Sequence, residues 1–154
     1  MHVHELSPTI FGRTRDKFIR FAHHHGSRRI TGQAIRWLRE VPEDMFMQQG
    51  NIILAAIQNK KLLGLLAVCE YGITESFLIV HKDARRNGVG SLLTAEGIKR
   101  MGKLYVRVAA DNEPSLKTCF AVGMVAFACF RGVTDKPTLW LAAGDWSRED
   151  VGSI

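Results

Sequence analysis

A cationic loop with two glycines is the part of the sequence whose residue types and spacing best suit chemistry. Glycines let the backbone approach an anion closely, and the free N–H groups and dipole of a helix start favour negative charge. Two adjacent phosphates suit a loop with this many donors. The sequence therefore predicts a pyrophosphate site formed by Arg85, Arg86, Asn87, Gly88, Val89, Gly90 and Ser91.

The spacing of this loop differs from that of two common nucleotide motifs. It lacks the Gly-Lys-Ser/Thr ending of a P-loop, and Leu93 stands where the third glycine of a dinucleotide-binding fingerprint would fall. ATP and NAD are therefore weak interpretations. Taken alone, the spacing Arg85-x-x-Gly88-x-Gly90 is also compatible with a turn that binds nothing.

The loop and a second stretch together resemble a known family. The loop follows a strand that ends Leu78-Ile79-Val80 and precedes a leucine-bearing helix, which resembles the acyl-CoA signature of the GNAT superfamily of N-acetyltransferases. A later stretch, Asn112-x-x-Ser115-x-x-x-Cys119-Phe120-x-x-Gly123-Met124, resembles a second pattern of that family. Cys119 occupies the usual place of a tyrosine, and Met124 that of a phenylalanine. The resemblance extends over residues 51–143.

The resemblance implies that acetyl-CoA is the acyl donor. Main-chain groups of Leu78, Ile79 and Val80 would hold the pantetheine arm, and the loop would hold the pyrophosphate. The side chains of that strand are equally those of a core strand and predict little. The opposite side of the cofactor would be lined by Asn112, Ser115 and Phe120.

The implied reaction is direct attack of a primary amine on the thioester in a ternary complex. It needs a base for the ammonium proton, a donor for the oxyanion and a proton for the thiolate. An N–H near Val80 would be the oxyanion donor. Glu75 is the first candidate for the base and Glu70 the second, with a water chain as the alternative. Cys119, with an ordinary thiol pKa of about 8.5, is the candidate proton donor, and a buried packing role or water is the alternative.

Two other function classes remain open. The replacement of tyrosine by Cys119 is compatible with a non-catalytic module that binds acyl-CoA. The 21 Lys+Arg and 15 Asp+Glu give a net charge of +6, which is also compatible with a basic nucleic-acid-binding domain, although we consider nucleic acid unfavoured. The run from His23 to His25, together with Arg28 and Arg29, is either solvated or contacts an acidic or phosphorylated acceptor.

Composition places limits on the class of protein. A length of 154 residues predicts one domain over residues 1–154. The longest apolar run, residues 62–69, is far short of the roughly 20 residues that cross a bilayer. The amino end lacks a secretory pattern, so we expect a cytoplasmic protein, with a homodimer left open. Three cysteines without a CxxC pair indicate reduced thiols, and we expect no metal site.

Patterning predicts the elements that position these residues. A first helix from Thr14 and a second capped by Thr31 precede a hairpin, a β-α-β unit, a short helix and a last hairpin, with a polar tail from Gly144. The fold class is α/β, with a GNAT-like mixed, mostly antiparallel central sheet, helices on both faces and a splayed parallel strand pair. The predicted strands are residues 51–58, 62–70, 74–80, 104–109, 124–131 and 138–143.

Overall fold

The computed structural model describes residues 1–26, 28–132 and 135–152, and for residues 28–31 the backbone alone. The helices are α1 (Pro8–His25), α2 (Arg28–Glu40), α3 (Val89–Met101) and α4 (Glu113–Ala121). The strands are β1 (His2–Glu5), β2 (Ile52–Gln58), β3 (Lys61–Cys69), β4 (Glu75–Val80), β5 (Lys103–Ala109), β6 (Val125–Arg131) and β7 (Pro137–Gly144).

The strands form two antiparallel sheets, in the orders β1-β2-β3-β4 and β5-β7-β6. Strands β2 and β3 are apolar on both faces because both faces are covered. One face packs on α1 and α2 through residues such as Phe18 and Leu38, and the other packs on α3 through Leu93. The predicted mixed α/β architecture with helices on both faces is therefore confirmed.

Strands β4 and β5 are neighbours that share no hydrogen-bonded ladder in the described part of the chain. Their contacts lie where β4 begins. Gly72, with φ of 97°, lies so close to β5 that a Cβ there would overlap the carbonyl oxygen of Tyr105. Arg107 Nη2 donates to Thr74 O at 3.0 Å. Because Gly72 and Thr74 contact Tyr105 and Arg107 in the same chain order, the chain that enters β4 runs parallel to β5, and no described ladder joins the two strands towards Val80.

The amino-terminal helices differ from their predicted bounds. Helix α1 begins at Pro8 rather than Thr14, because Ser7 caps it by accepting a hydrogen bond from Ile10 N at 3.2 Å and Pro8 suits the first turn. The sequence also predicts a polar connection between the two helices over residues 23–29, and this is wrong, because α1 continues to His25 and α2 begins at Arg28. The backbone of Thr31 lies inside α2, so the predicted start of this helix is wrong as well. Strand β1 was not predicted.

The carboxyl-terminal segment folds back over β5. The hydroxyl of the fully buried Tyr105 accepts a hydrogen bond from Ser147 N at 2.9 Å and also contacts the carboxylate of Asp150. Lys103 Nζ lies 3.0 Å from the same carboxylate. These bonds fix residues that the sequence predicts only as a polar tail. Among the described helices, none combines the length and hydropathy that crossing a bilayer requires.

Candidate functional site

The glycine loop joins the end of β4 to the start of α3. Gly88 is the N-cap of α3 with φ of 81°, and no side chain caps the helix. The first bond of the helix runs from Leu92 N to Gly88 O at 2.9 Å. The N–H groups of the preceding turn, residues 89–91, have no acceptor within the helix. They are the donors that an anion would meet at this position.

The two glycines serve different purposes. Gly88 has open space around its Cα, so its positive φ is what favours glycine there. A Cβ at Gly90 would lie 3.2 Å from Leu78 Cδ2 and 3.5 Å from Thr118 Cγ2, so this glycine lets α3 start close to β4 and α4. The backbone, more than any side chain, determines the shape of the loop.

Of the loop side chains, Val89 is buried, whereas Arg85 is exposed and hydrogen-bonded to the end of α1 and to the end of β4. Its Nη2 donates to His25 O at 2.6 Å, and its Nε donates to Val80 O at 3.4 Å. Arg86 and Asn87 are exposed, and Arg86 adopts a φ of 69°. Arg85 therefore contributes positive charge near the predicted pyrophosphate site, while its hydrogen bonds connect the loop to the end of α1.

The main chain of β4 is open along one edge. His81 N donates to Leu63 O at 2.8 Å, so His81 and Ile79 face β3 with their main-chain groups. By alternation, the N–H and C=O groups of Leu78 and Val80 point to the opposite edge, where no described strand pairs with them. Of the three residues predicted to hold the pantetheine arm, these two have the main-chain groups to do so.

The residues predicted on the far side of the cofactor lie on α4. Asn112 is its N-cap, with Oδ1 accepting from Ser115 N at 3.5 Å, so Asn112 also has a local structural role. Ser115 is half-buried in the first turn. Phe120 is 51% exposed, which leaves an apolar surface for a ligand. Thr118, near Gly90, shows that α4 lies beside the loop.

The first base candidate lies where β4 begins. Glu75 Oε2 accepts a hydrogen bond from Gln33 Nε2 at 2.6 Å, and Oε1 accepts from Ser76 N at 3.1 Å. The carboxylate is therefore held between α2 and β4. The second candidate, Glu70, is exposed in a turn with φ of 51°, and Asn51 Oδ1 accepts from its N–H at 2.7 Å. Glu75 is therefore the candidate whose carboxylate is held in place by hydrogen bonds.

Cys119 lies in the hydrophobic core between the second sheet and α3. It is buried in the same cluster as Leu93 and Met124. Burial raises the pKa of the Cys119 thiol to about 11. A thiol of this pKa is a weaker acid than an ordinary thiol, so protonating a departing thiolate from it is unfavourable. The environment resembles that of a packing residue.

Contacts between distant residues were not foreseen. Gln33 precedes its partner Glu75 by 42 residues, and no local pattern marks the pair. The histidine run is only partly solvated, because His23 and His24 are exposed whereas His25 stacks on His81, with 3.9 Å between ring centroids. The predicted contacts of the Arg28 and Arg29 side chains lie outside the described residues. Among the residues that are described, no group of three potential ligands is arranged around a metal position.

Comparisons with known proteins agree with this geometry. Residues 17–123 match the family model described as the acetyltransferase (GNAT) family. No curated protein matches the sequence. Among solved structures, a GNAT-family acetyltransferase from Streptococcus pneumoniae has a TM-score of 0.63 at 16% identity, covering 93% of this chain and 98% of that one.

Two further structures are similar over comparable lengths. A ribosomal-protein-alanine N-acetyltransferase from Brucella melitensis has a TM-score of 0.61 at 13% identity, with 94% of this chain and 99% of that chain covered. A protein from Salmonella typhimurium, solved with acetyl-CoA as its cofactor, has a TM-score of 0.61 at 12% identity, with coverages of 96% and 95%. At these identities the likeness establishes the fold.

Proposed function

Because the chain belongs to the GNAT family of acetyltransferases, we propose that it transfers an acetyl group from acetyl-CoA to a primary amine by direct attack in a ternary complex. One observation carries the proposal. The open main-chain edge at Val80 leads directly into the uncapped start of α3 at Gly88. An extended arm with an amide backbone fits the edge, and its pyrophosphate fits the helix start.

The donor is held chiefly by main-chain groups. The N–H groups of residues 89–91 bind the pyrophosphate, and the exposed cations Lys82 and Arg86 add favourable charge. The main-chain groups of Leu78 and the C=O of Val80 bind the pantetheine arm as a strand would, which leaves the N–H of Val80 for the thioester oxygen. Phe120 on α4 packs against the same ligand from the other side. This arrangement orients the thioester relative to the open edge of β4.

The chemistry needs a neutral amine and a stabilised oxyanion. Because Glu75 and Val80 lie at opposite ends of β4, Glu75 accepts the proton of the incoming ammonium through water, while Gln33 fixes the carboxylate. The amine nitrogen then forms a bond to the carbonyl carbon, and the N–H of Val80 donates to the oxygen as negative charge develops. Collapse of this intermediate breaks the C–S bond, and the nitrogen releases its second proton to water as the amide forms. The products are the amide and CoA, whose thiolate takes up one proton.

The source of that last proton is Cys119 or water. Burial raises the pKa of Cys119 to about 11, which makes the thiol a weak acid and favours water. The same observation supports a second candidate function, a module that binds acyl-CoA without rapid turnover. The two functions differ in turnover and not in donor affinity.

The first experiment is a calorimetric titration with acetyl-CoA, alongside NAD and ATP, at moderate salt. Selective binding of acetyl-CoA is expected, because the loop lacks the residues that the other two nucleotides require. The bound protein is then assayed against a peptide with an amino-terminal alanine, a polyamine and an amino sugar. Amide formation supports the enzyme, binding without turnover supports the second candidate, and absence of binding contradicts both.

A further inference from the structure

The carboxyl end of α1 is connected through His25 to the glycine loop that joins β4 to α3. We call this segment the donor loop, because it is proposed to bind the acetyl donor. The Nδ1 atom of His25 accepts a hydrogen bond from Lys82 N at 3.1 Å. Its ring stacks on that of His81, with 3.9 Å between centroids and an interplanar angle of 30°. Its carbonyl oxygen accepts from Arg85 Nη2 at 2.6 Å. Three separate contacts therefore converge on one residue.

His81 extends the same arrangement into the loop. Its Nδ1 accepts from Asp83 N at 3.1 Å, and it caps the short 3-10 turn Lys82–Ala84 that precedes Arg85. Both imidazoles thus act as acceptors at Nδ1. An imidazole nitrogen accepts a hydrogen bond only when it carries no proton, so the bond from Lys82 N requires the neutral ring of His25 with its proton on Nε2. Phe21 packs on the His25 ring at 4.8 Å and helps to hold it.

We propose that His25 is a positioning residue for the acetyl-CoA donor: its imidazole fixes the main chain at Lys82, and through it the loop that presents the start of α3. The inference rests on the proposed function for its link to acetyl-CoA. The anchoring itself concerns the free protein. It gives α1, which lies outside the glycine motif, control over the loop before the donor arrives.

The anchor depends on pH because protonation at Nδ1 converts the acceptor into a donor. Burial, and then His81, lower the pKa of His25, so the neutral ring is favoured in the folded protein. A lowered pKa means that the contribution is complete above the unfolded value of about 6.5 and is lost as pH falls through the folded value. The charged or titratable groups that act on His25 are His24 on α1 and His81, Lys82 and Arg85 in the loop. Asp83 faces His81.

Three variants separate the hydrogen bond from the ring contact. His25→Phe keeps a ring that can stack but removes the acceptor. His25→Asn places an amide oxygen near the position of Nδ1 and does not titrate. His24→Ala is the matched control, because His24 is exposed on the same turn and its nearest described ring contact is with His25, at 6.1 Å.

The first measurement is hydrogen exchange of the segment 82–91 in the protein without ligand, expressed as protection relative to the unfolded chain at each pH. At pH 7.5, we expect about a fivefold loss of protection in His25→Phe, the effect of one net hydrogen bond, and near wild-type protection in His25→Asn and His24→Ala. Between pH 7.5 and 5.5, wild type should lose protection and His25→Asn should not. Equal protection in His25→Phe and His24→Ala overturns the proposal, and so does an Asn variant that behaves like the Phe variant.

The second measurement is the calorimetric Kd for acetyl-CoA. His25→Phe should raise this Kd about fivefold, and His25→Asn should keep it near the wild-type value at pH 7.5. Unchanged affinity in His25→Phe contradicts the positioning role. Wild-type protein that does not bind acetyl-CoA contradicts the proposed function instead, and the exchange experiment still decides whether His25 anchors the loop.

Discussion

The donor loop and the region around Glu75 are built in opposite ways. The loop is contiguous in sequence, presents exposed cations and is shaped by main-chain conformation at Gly88. The Glu75 region depends on two side chains, Glu75 and Gln33, which come from a strand and a helix 42 residues apart. A site that binds an anion through main-chain N–H groups depends on the backbone φ and on the space around it, so the site tolerates many side-chain changes. A carboxylate held by a side-chain partner is sensitive to either residue.

The largest expected effect comes from placing a charge at the start of α3. Gly88→Asp should weaken acetyl-CoA binding about 100-fold or more. The new carboxylate would occupy the place of the pyrophosphate at the start of α3 and would repel its negative charge. The matched control is Gly102→Asp at the other end of α3, where φ is also positive and space is also open. Calorimetry should show near wild-type affinity for the control. Equal losses would mean that strain, and not the anion site, is responsible.

A smaller loss, in turnover and not in binding, is expected from Glu75→Gln. Removal of the base should lower kcat about 100-fold and leave the Kd for acetyl-CoA within about twofold. Steady-state kinetics with a saturating amine measure the first, and calorimetry measures the second. Glu70→Gln is the control. A larger loss in the control would transfer the role of base to Glu70.

An intermediate effect on kcat is expected at Gln33, the hydrogen-bond partner of the Glu75 carboxylate. Gln33→Leu removes one hydrogen bond and should lower kcat about fivefold without altering donor affinity. Arg36→Gln, one turn further along α2 at an exposed position, is the comparison and should remain within about twofold of wild type. If both variants have wild-type kcat, the Glu75 region does not depend on side-chain pairing as the structure suggests.

The smallest effect on activity is expected at Cys119. Cys119→Ala should leave kcat within about twofold, because burial raises the pKa of the thiol to about 11 and makes it a weak proton donor. The free energy of unfolding should fall by about 1 kcal/mol from the lost packing, measured by chemical denaturation. A fall in kcat near 100-fold would identify the thiol as the proton donor.

The parts of the molecule that could be predicted are those specified by neighbouring residues. The loop over residues 85–91 follows a strand and opens a helix, so its glycines and their place at a helix start are evident from the sequence. Ser7 and Pro8 encode the start of α1 equally locally, and the predicted start at Thr14 is wrong. Helix α2 begins at Arg28, three residues before the predicted start at Thr31, so that predicted bound is also wrong.

Contacts that depend on the tertiary fold could not be predicted in this way. The bond from Gln33 to Glu75 and the stacking of His25 on His81 join residues 42 and 56 positions apart. No periodicity or spacing rule marks such pairs. The raised pKa of Cys119 has the same origin, since it results from burial that only the packed core creates.

The surroundings of Gly72 and Gly88 predict that these two positions accept substitutions differently during evolution. At Gly72, any side chain would overlap the backbone of β5, so substitution is prevented by the fold whether or not the protein is active. At Gly88 there is open space, and asparagine or aspartate tolerates a positive φ, so only the ligand excludes them. In a paralogue that has lost acetyl transfer but remains folded, position 72 should therefore stay glycine, whereas position 88 should accept other residues such as asparagine or aspartate.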